Sequence, residues 1–490
     1  MEIKEKVLAE LEKIVGTEHV SSARVELYMY CQDMTTNEPG WPDFVVMPDS
    51  VEEVQEVLHL ANRERIAVIP YTGGSNVGGL TIPLKGGIVL DLRRMNRLIE
   101  LNEEDRYIIV EPGFNFGDLR RLLDKNYPHL WYSFARCPSS SSIMANALLW
   151  GMGYNLNAMG TNTDMVSGME VVLPTGEVVK IGSCSVSPYW SNRAPLPDLC
   201  GLFFGWEGTT GVVTKIALQL WPRQPLHQNK LLTITGIRPT CTFLRKLGQT
   251  GVCEFLGLPF DIAQASENKT TWLERNKNKD VFVSVLQKEE RASATYDRPP
   301  GPDMFMATLS LHADTEDELK VKKALIDVVI KEELKDTQFS ERPWEWTDLS
   351  YLPIKSGTQR IGGLTWIGTM GPISQWAKAV EKLLPVFDKY RLIREVALTG
   401  FRGGHYGMIR SVAGFNRSDP DEVERVRKCM REVAIVVLDC GFIPYKAPYW
   451  VVEEMMRRGD PNWVELLGRV KRMLDPNNIM NPGRYGDTRG

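Results

Sequence analysis

The sequence predicts an α+β fold in two parts, and three observations carry that prediction. From Pro42 to about Pro225, short apolar runs alternate with amphipathic runs of helical period. From about 226 to 440 a strand-then-helix unit repeats, the pattern of a sheet covered by helices on one side. The helical runs open on capping signals, and Gly or Pro punctuates the apolar ones, so the boundaries are locally specified.

In order along the first part, "DFVVMP" reads as a strand and "DSVEEVQEVLHLANRE" as a helix, with Ser50 as N-cap and Glu53 completing a capping box. "IAVIPY" is the next strand, followed by the glycine-rich "TGGSNVGGL". "GGIVLDL" and "RYIIVEPG" are further strands, and "GMEVVLPTGEVVKIG" is a hairpin around Pro174-Thr175-Gly176. "GTTGVVTKIALQLWP" closes this part near Pro222 and Pro225. In the second part "DMFMATLSLHA" precedes a helix capped by Thr315 with Glu318, and "GLTWIGTMG" precedes "ISQWAKAVEKLLPVFDKY". "GHYGMIRSVAGFN" precedes a helix with Asp419 as N-cap, Pro420 at its first position and Gly441 as its stop.

The 490 residues are 43% hydrophobic and 24% charged, a soluble globular composition. A net charge of −4 with no basic tract argues against nucleic acid as a partner. No apolar run approaches the length of a membrane span, and "MEIKEKVLAELEKIVG" has no signal-peptide centre. Eight scattered cysteines without a C-x-x-C pair, and six scattered histidines, point away from a metal site and toward a reducing cytoplasm.

The stretch "IPYTGGSNVGGL" is the first candidate site. It lacks the Gly-Lys-Ser/Thr of a phosphate-binding P-loop and the G-x-G-x-x-G of a Rossmann turn. Such a loop is either a set of turns or a cradle whose backbone amides, with Thr72, Ser75 and Asn76, wrap a pyrophosphate.

Three further segments decide between these. They are "CPSSSSIMANALLWGMG" (137–153), "GTNTDMVSGMEVVLPTGEVV" (160–179) and "GWEGTTGVVTKIALQLWP" (205–222). With the glycine loop, in this order, they resemble the FAD-binding domain of the vanillyl-alcohol oxidase/p-cresol methylhydroxylase superfamily over roughly 42–225. That superfamily includes glycolate and D-lactate dehydrogenases and alkyl-dihydroxyacetonephosphate synthase. The resemblance implies a PCMH-type FAD-binding domain of two α+β subdomains over 1–225. It further implies a cap with an antiparallel sheet covered by helices over 226–440, and a segment 441–490 that returns to the first domain. The FAD pyrophosphate would lie on Pro70, Tyr71, Thr72, Gly73, Gly74, Ser75, Asn76, Val77 and Gly78. Cys137, Pro138, Ser141, Ser142, Ile143, Trp150, Gly151, Met152 and Gly153 would line the ring and ribityl chain. Glu207, Gly211, Val212 and Val213 would meet the adenosine end.

The tail segments "FNRSDPDEVERVRKCMREVA", "GFIPYKAPYWVVEEM" and "WVELLGRVKRMLDPNNIMNPGRYG" resemble the vanillyl-alcohol oxidase/4-cresol dehydrogenase branch, whose Tyr-Arg pair stands here as Tyr445-Lys446. Hydride transfer to flavin N5 leaves negative charge over N1 and O2, and the resemblance places Lys446 at that edge. Other branch features are absent. Cys137 or Pro138 stands where those enzymes carry a catalytic Asp, Gly79 where a second tyrosine falls, and Leu364 near the histidine that links FAD covalently in some members. Non-covalent FAD follows. The 2-hydroxy-acid branch is the rival reading: half of its metal motif survives in Gly404-His405-Tyr406-Gly407-Met408, with Val412 in place of the second histidine. His405 is then a candidate base, Arg402 and Arg410 are candidate anion contacts, and Trp344, Trp346 and Trp366 a candidate aromatic wall.

The resulting expectation is a cytoplasmic, oligomeric FAD-dependent oxidoreductase. It takes hydride from a C–H next to oxygen, in an aromatic alcohol, a phenol or a 2-hydroxy acid. Electrons then pass to oxygen or to a protein acceptor such as an electron-transfer flavoprotein, a cytochrome or an iron–sulfur protein. The rivals are a non-redox FAD enzyme like the ether-lipid synthase and a flavin-binding scaffold subunit without a substrate of its own.

Overall fold

The structure, a computed structural model, describes residues 2–135, 137–258, 303–343, 362–392 and 394–486. Trp344 and Trp346 lie outside the described residues.

The first part holds two sheets. A four-stranded sheet runs in the order Val20–Ser21, Phe44–Val46, Ile88–Asp91, Val68–Tyr71, with the last three strands parallel. Its two central strands are buried on both faces, and the Val51–Glu64 helix packs Val54, Val57, Leu58 and Ala61 into the same core. The Ser50 side chain caps that helix by accepting from the Glu53 amide. Glu53, expected to return to Ser50, reaches the Asp49 amide instead, one residue earlier. The second sheet is antiparallel, in the order Leu98–Asn102, Tyr107–Val110, Val212–Gln219, Val166–Val172, Val178–Gly182. Its last two strands form the predicted hairpin, turning at Gly176 with φ of 101°.

The second part is an eight-stranded antiparallel sheet. Its order is Phe339–Pro343, Leu226–Thr235, Met304–Ala313, Phe255–Leu258, Glu395–Phe401, Tyr406–Asn416, Gly362–Gly371, Ile443–Tyr445. The helices Ile237–Gln249, Glu316–Glu333, Trp376–Lys389 and Pro420–Asp439 share one core with it. The period-2 alternation of a strand sorts the side chains. Leu256, Ile367, Leu398 and Ile409 join that helical core. Their neighbours Phe255, Trp366, Thr399, Met408 and Arg410 face a cavity on the opposite side.

The last segment joins the two parts. Ile443–Tyr445 pairs with the sheet edge at Met370–Gly368. After the helices Tyr449–Arg458 and Pro461–Leu474, the chain reaches the first sheet, where the Val68 amide donates to Ile479 and the Asn481 amide to Val68. Lys471 seals this return: its buried ammonium donates to Asp475 at 2.5 Å and to the carbonyls of Thr209 and Met480, both at 2.8 Å.

Candidate active site

A cavity of about 270 Å³ lies where the glycine loop, the 137–153 segment, the 207–213 segment and the open face of the large sheet meet. Its first wall is mostly backbone and small side chains: Pro70, Thr72, Gly73, Gly74, Ser75, Asn76, Val77, Cys137, Pro138, Ser141, Ser142, Gly153 and Gly211. Met152, Glu207 and Val213 complete it.

The loop has two uses. The amides of Gly78 and Leu80 donate to the Asn76 side chain, and the Gly79 amide donates to Asp33 at 2.7 Å. These bonds hold the end of the loop. The five amides from Gly73 to Val77 have no acceptor among the described residues. A run of unused amides on a cavity wall, next to a Ser75–Ser141 hydroxyl pair 2.8 Å apart, fits a phosphate-bearing ligand. A side chain at Gly73 would crowd the Ser140 carbonyl, and Gly74, with a φ of 58° beside the Tyr71 ring, has no room for one.

The second wall is made of large side chains. Arg410 stacks its guanidinium 4.1 Å from the centre of Trp366 and donates to the Tyr445 hydroxyl at 3.3 Å. The same hydroxyl lies 3.5 Å from Met152 Sδ. Lys446 takes an αL-like conformation with φ of 49°, which a non-glycine residue adopts only when its surroundings enforce it. Its ammonium makes no hydrogen bond or ion pair among the described residues. Burial pushes its pKa down to about 8, an effect that the Arg410 charge reinforces and Cys137 opposes. Among the described residues, Arg410 and Lys446 are the cations of the cavity and Glu207 its one carboxylate.

Glu207 does not serve those cations. It faces Arg484, at 3.4 Å, and both side chains are almost wholly buried. Arg484 also donates to the carbonyls of Gly79 and Ala447. One side chain thus ties together the glycine loop, the Tyr-Lys segment and the 207–213 segment. Burial still dominates at Glu207, whose pKa rises to about 7 despite Arg484. Nothing in the sequence marked Arg484 beyond the tail "NPGRYG".

Eight predicted residues stand off this cavity. Tyr71 packs edge-on against Tyr30 with ring centres 5.0 Å apart. Gly78 is pressed against the Lys446 carbonyl, where a Cβ would collide. Ile143 opens the Ile143–Leu148 helix and is buried in the core behind it. Trp150, with φ of 55°, is turned toward Phe204, and Gly151 is bound into the turn through the Asn146 carbonyl. Val212 faces the core of the first sheet. Arg402 is exposed and paired with Asp164 at 2.5 Å. His405 is exposed in the turn before Tyr406, where its amide donates to Phe401. The motif fragment around His405 is therefore a hairpin turn: alternation sends Met408 and Arg410 to the cavity, while His405 precedes the strand. Sequence reasoning also missed Phe255, Ala397, Thr399 and Met408, which reach the wall from three strands.

This is the architecture of a protein that holds a dinucleotide flavin between a backbone cradle and a substrate-facing sheet. Residues 42–182 match the model of the FAD binding domain, and residues 286–485 match that of the FAD linked oxidases, C-terminal domain. D-lactate dehydrogenase [cytochrome] of Arabidopsis thaliana is 34% identical over 459 residues, covering 90% of this chain and 73% of that protein. The flavoprotein subunit of 4-cresol dehydrogenase [hydroxylating] of Pseudomonas putida is 25% identical over 533 residues, covering 98% of this chain and 95% of the relative. The structure of p-cresol methylhydroxylase with substrate bound superposes with a TM-score of 0.81 at 21% identity, covering 98% of this chain and 96% of that one. The chain belongs to the FAD-linked oxidases of the vanillyl-alcohol oxidase/p-cresol methylhydroxylase superfamily and is an FAD-dependent oxidoreductase. Among the described residues, no helix is long and apolar enough to cross a membrane.

Proposed function

We propose that this enzyme oxidises a carbon bearing a hydroxyl group on a substrate with an apolar body and a carboxylate, a 2-hydroxy acid or a close analogue. One observation carries this reading: Arg410 and Lys446 converge on a largely apolar cavity whose one carboxylate among the described residues, Glu207, faces Arg484 instead. Two partly buried cations with no counter-charge repel each other, so the ligands supply the anions. FAD, when bound, supplies the hydride acceptor.

In this reading the Gly73–Val77 amides hold the diphosphate, and Lys446 provides the cation for charge that develops during transfer. Arg410 holds the substrate carboxylate through its fork; its Nε is buried without a partner among the described residues and Trp366 fixes its plane. Phe255, Met408 and Val412 enclose the apolar body and exclude water. The division of labour follows: 1–225 with 441–490 for the cofactor, 226–440 for the substrate. The FAD is non-covalent, a reading supported by Leu364 on the cavity wall and by the lack of histidine among the described residues lining it. Electrons pass to a redox protein, in keeping with relatives named as a flavoprotein subunit and as a cytochrome-linked dehydrogenase.

The phenol reading is weaker. Tyr445 is the one tyrosine among the described cavity residues, and Gly79 lies off the wall beside Asn37. An anaerobic panel of aliphatic and aryl 2-hydroxy acids against 4-alkylphenols tests the choice. Bleaching of the flavin by hydroxy acids is expected. Bleaching by phenols alone would reverse the assignment, and bleaching by neither would favour the scaffold reading.

A further inference from the structure

Lys446 is the one lysine on the cavity wall among the described residues, and its backbone is clamped there. Its carbonyl presses on Gly78, the next carbonyl accepts from Arg484, and Tyr445 before it is paired into the large sheet at Gly368. The φ of 49° belongs to the same clamp. The side-chain nitrogen is held by no hydrogen bond or ion pair among the described residues. It lies 5.8 Å from the centre of the Tyr445 ring and feels the Arg410 charge. Of the other titratable groups on this wall, Cys137 favours the ammonium, and Glu207 faces Arg484. An amine that is desolvated and set beside another cation gives up its proton easily, which is how a lysine becomes a nucleophile. Depression to about 8 raises its neutral fraction near neutral pH by roughly two orders of magnitude over an ordinary lysine.

We propose that the neutral Lys446 amine adds to the carbonyl of a 2-oxo acid and holds it as an imine, so that the product of oxidation occupies the site covalently and reversibly. This rests on the hydroxy-acid reading above. The nitrogen lone pair attacks the ketone carbon and forms the C–N bond. The carbonyl oxygen leaves with the two hydrogens of the amine as water, and no electron is gained or lost. Arg410 supplies the proximity: a carboxylate on its fork brings the adjacent ketone into the cavity that holds the amine. The two protonation forms of Lys446 divide the work. The ammonium faces the charge that develops during oxidation, and the amine meets the ketone that oxidation leaves behind. Accumulating 2-oxo acid therefore slows its own formation, and a ketone without a carboxylate does not.

Trapping with sodium cyanoborohydride tests this. FAD-loaded protein is incubated with pyruvate or phenylpyruvate and the reductant, then weighed intact and mapped by peptide mass spectrometry. One adduct is expected, with the mass of the acid less one oxygen atom, on Lys446. K446R should carry none there, and R410M with the parent's flavin spectrum should trap about 10-fold less or lower still. Label on other lysines with Lys446 unmodified, trapping only after FAD is stripped, or equal trapping by R410M and the parent overturns the proposal. Flavin bleaching by the matching 2-hydroxy acid, followed on the same preparation, separates this inference from the reading beneath it. Bleaching without an adduct removes the imine alone; an adduct without bleaching keeps the imine and removes the hydroxy-acid oxidation.

Discussion

The two walls of the cavity are made by opposite means. The cofactor wall offers main-chain amides, hydroxyls and space, and its large side chains are turned away, as Tyr71 and Trp150 show. The substrate wall offers side chains: a guanidinium fixed on an indole, a tyrosine, and Met408. The lesson concerns tolerance. A backbone cradle needs nothing from its residues except their smallness and their φ values, so enlarging one is the damaging change. The sheet wall depends on functional atoms, so truncation is the damaging change there.

The largest effect is expected where the walls are joined. R484M removes the cation that faces buried Glu207 and leaves the Gly79 and Ala447 carbonyls without a donor. Breaking a buried pair costs about 3–5 kcal/mol, and a drop of that size in denaturant-derived stability, with loss of bound FAD, is expected. The Glu207 term has a definite sign. Its folded pKa, about 7, lies above the usual carboxylate value. The folded state therefore keeps a proton that the unfolded state releases, and stability falls as pH rises from about 4.5 through 7. Without Arg484 the fall extends to higher pH. A variant whose stability and FAD content match the parent at pH 8 would mean that the two walls are held together elsewhere.

Next comes Lys446. Removing one donor to developing charge costs about 3–4 kcal/mol, so K446M is expected to slow anaerobic flavin reduction by ~100- to 1,000-fold at saturating substrate. Because its pKa is pushed down to about 8, the cation is lost as pH rises through that value, and the parent rate falls on the alkaline side. K446R keeps its charge and should abolish the alkaline fall; a K446R profile that still breaks near pH 8 would assign the fall to another group. Arg410 is the specificity counterpart. R410M should cost about 2–4 kcal/mol in kcat/KM for a carboxylate substrate while leaving FAD content unchanged. Equal losses for a neutral alcohol and its carboxylate analogue would show that Arg410 does not read the anion.

How much of this was legible in the sequence follows the same divide. Gly73, Gly74, Ser75 and Ser141 are neighbours in short runs, so the cofactor wall announces itself within a few residues. The substrate wall draws Phe255, Trp366, Thr399, Met408 and Arg410 from four strands spread over more than 150 positions of sequence, with no local signature on any of them. His405 drew notice through the motif fragment Gly404–Met408, and Arg402 and Arg410 because they flank it in sequence. A turn followed by strand alternation separates them: Arg410 and Met408 point inward, and Arg402 is spent on Asp164. Gly78 shows the limit even in the legible part. Its smallness serves the Lys446 carbonyl, a partner 368 positions away that no local motif reveals.

The smallest expected effect discriminates most finely within the cradle. Ser141 donates to Ser75 at 2.8 Å on the cofactor wall. If amides hold the diphosphate, this hydroxyl only steadies the loop, and S141A should cost about 1 kcal/mol, a roughly five-fold weaker FAD affinity by fluorescence titration with kcat unchanged. If instead the hydroxyls carry the grip, S141A would cost far more, as charge-assisted bonds to an anion are about twice as strong as neutral ones. The amides themselves are reached by geometry: G73A crowds the Ser140 carbonyl, 3.2 Å from the added carbon, and shifts the first of the five amides without removing any donor. A G73A variant that binds FAD worse than S141A locates the recognition in the main chain, and the reverse order moves it to the side chains.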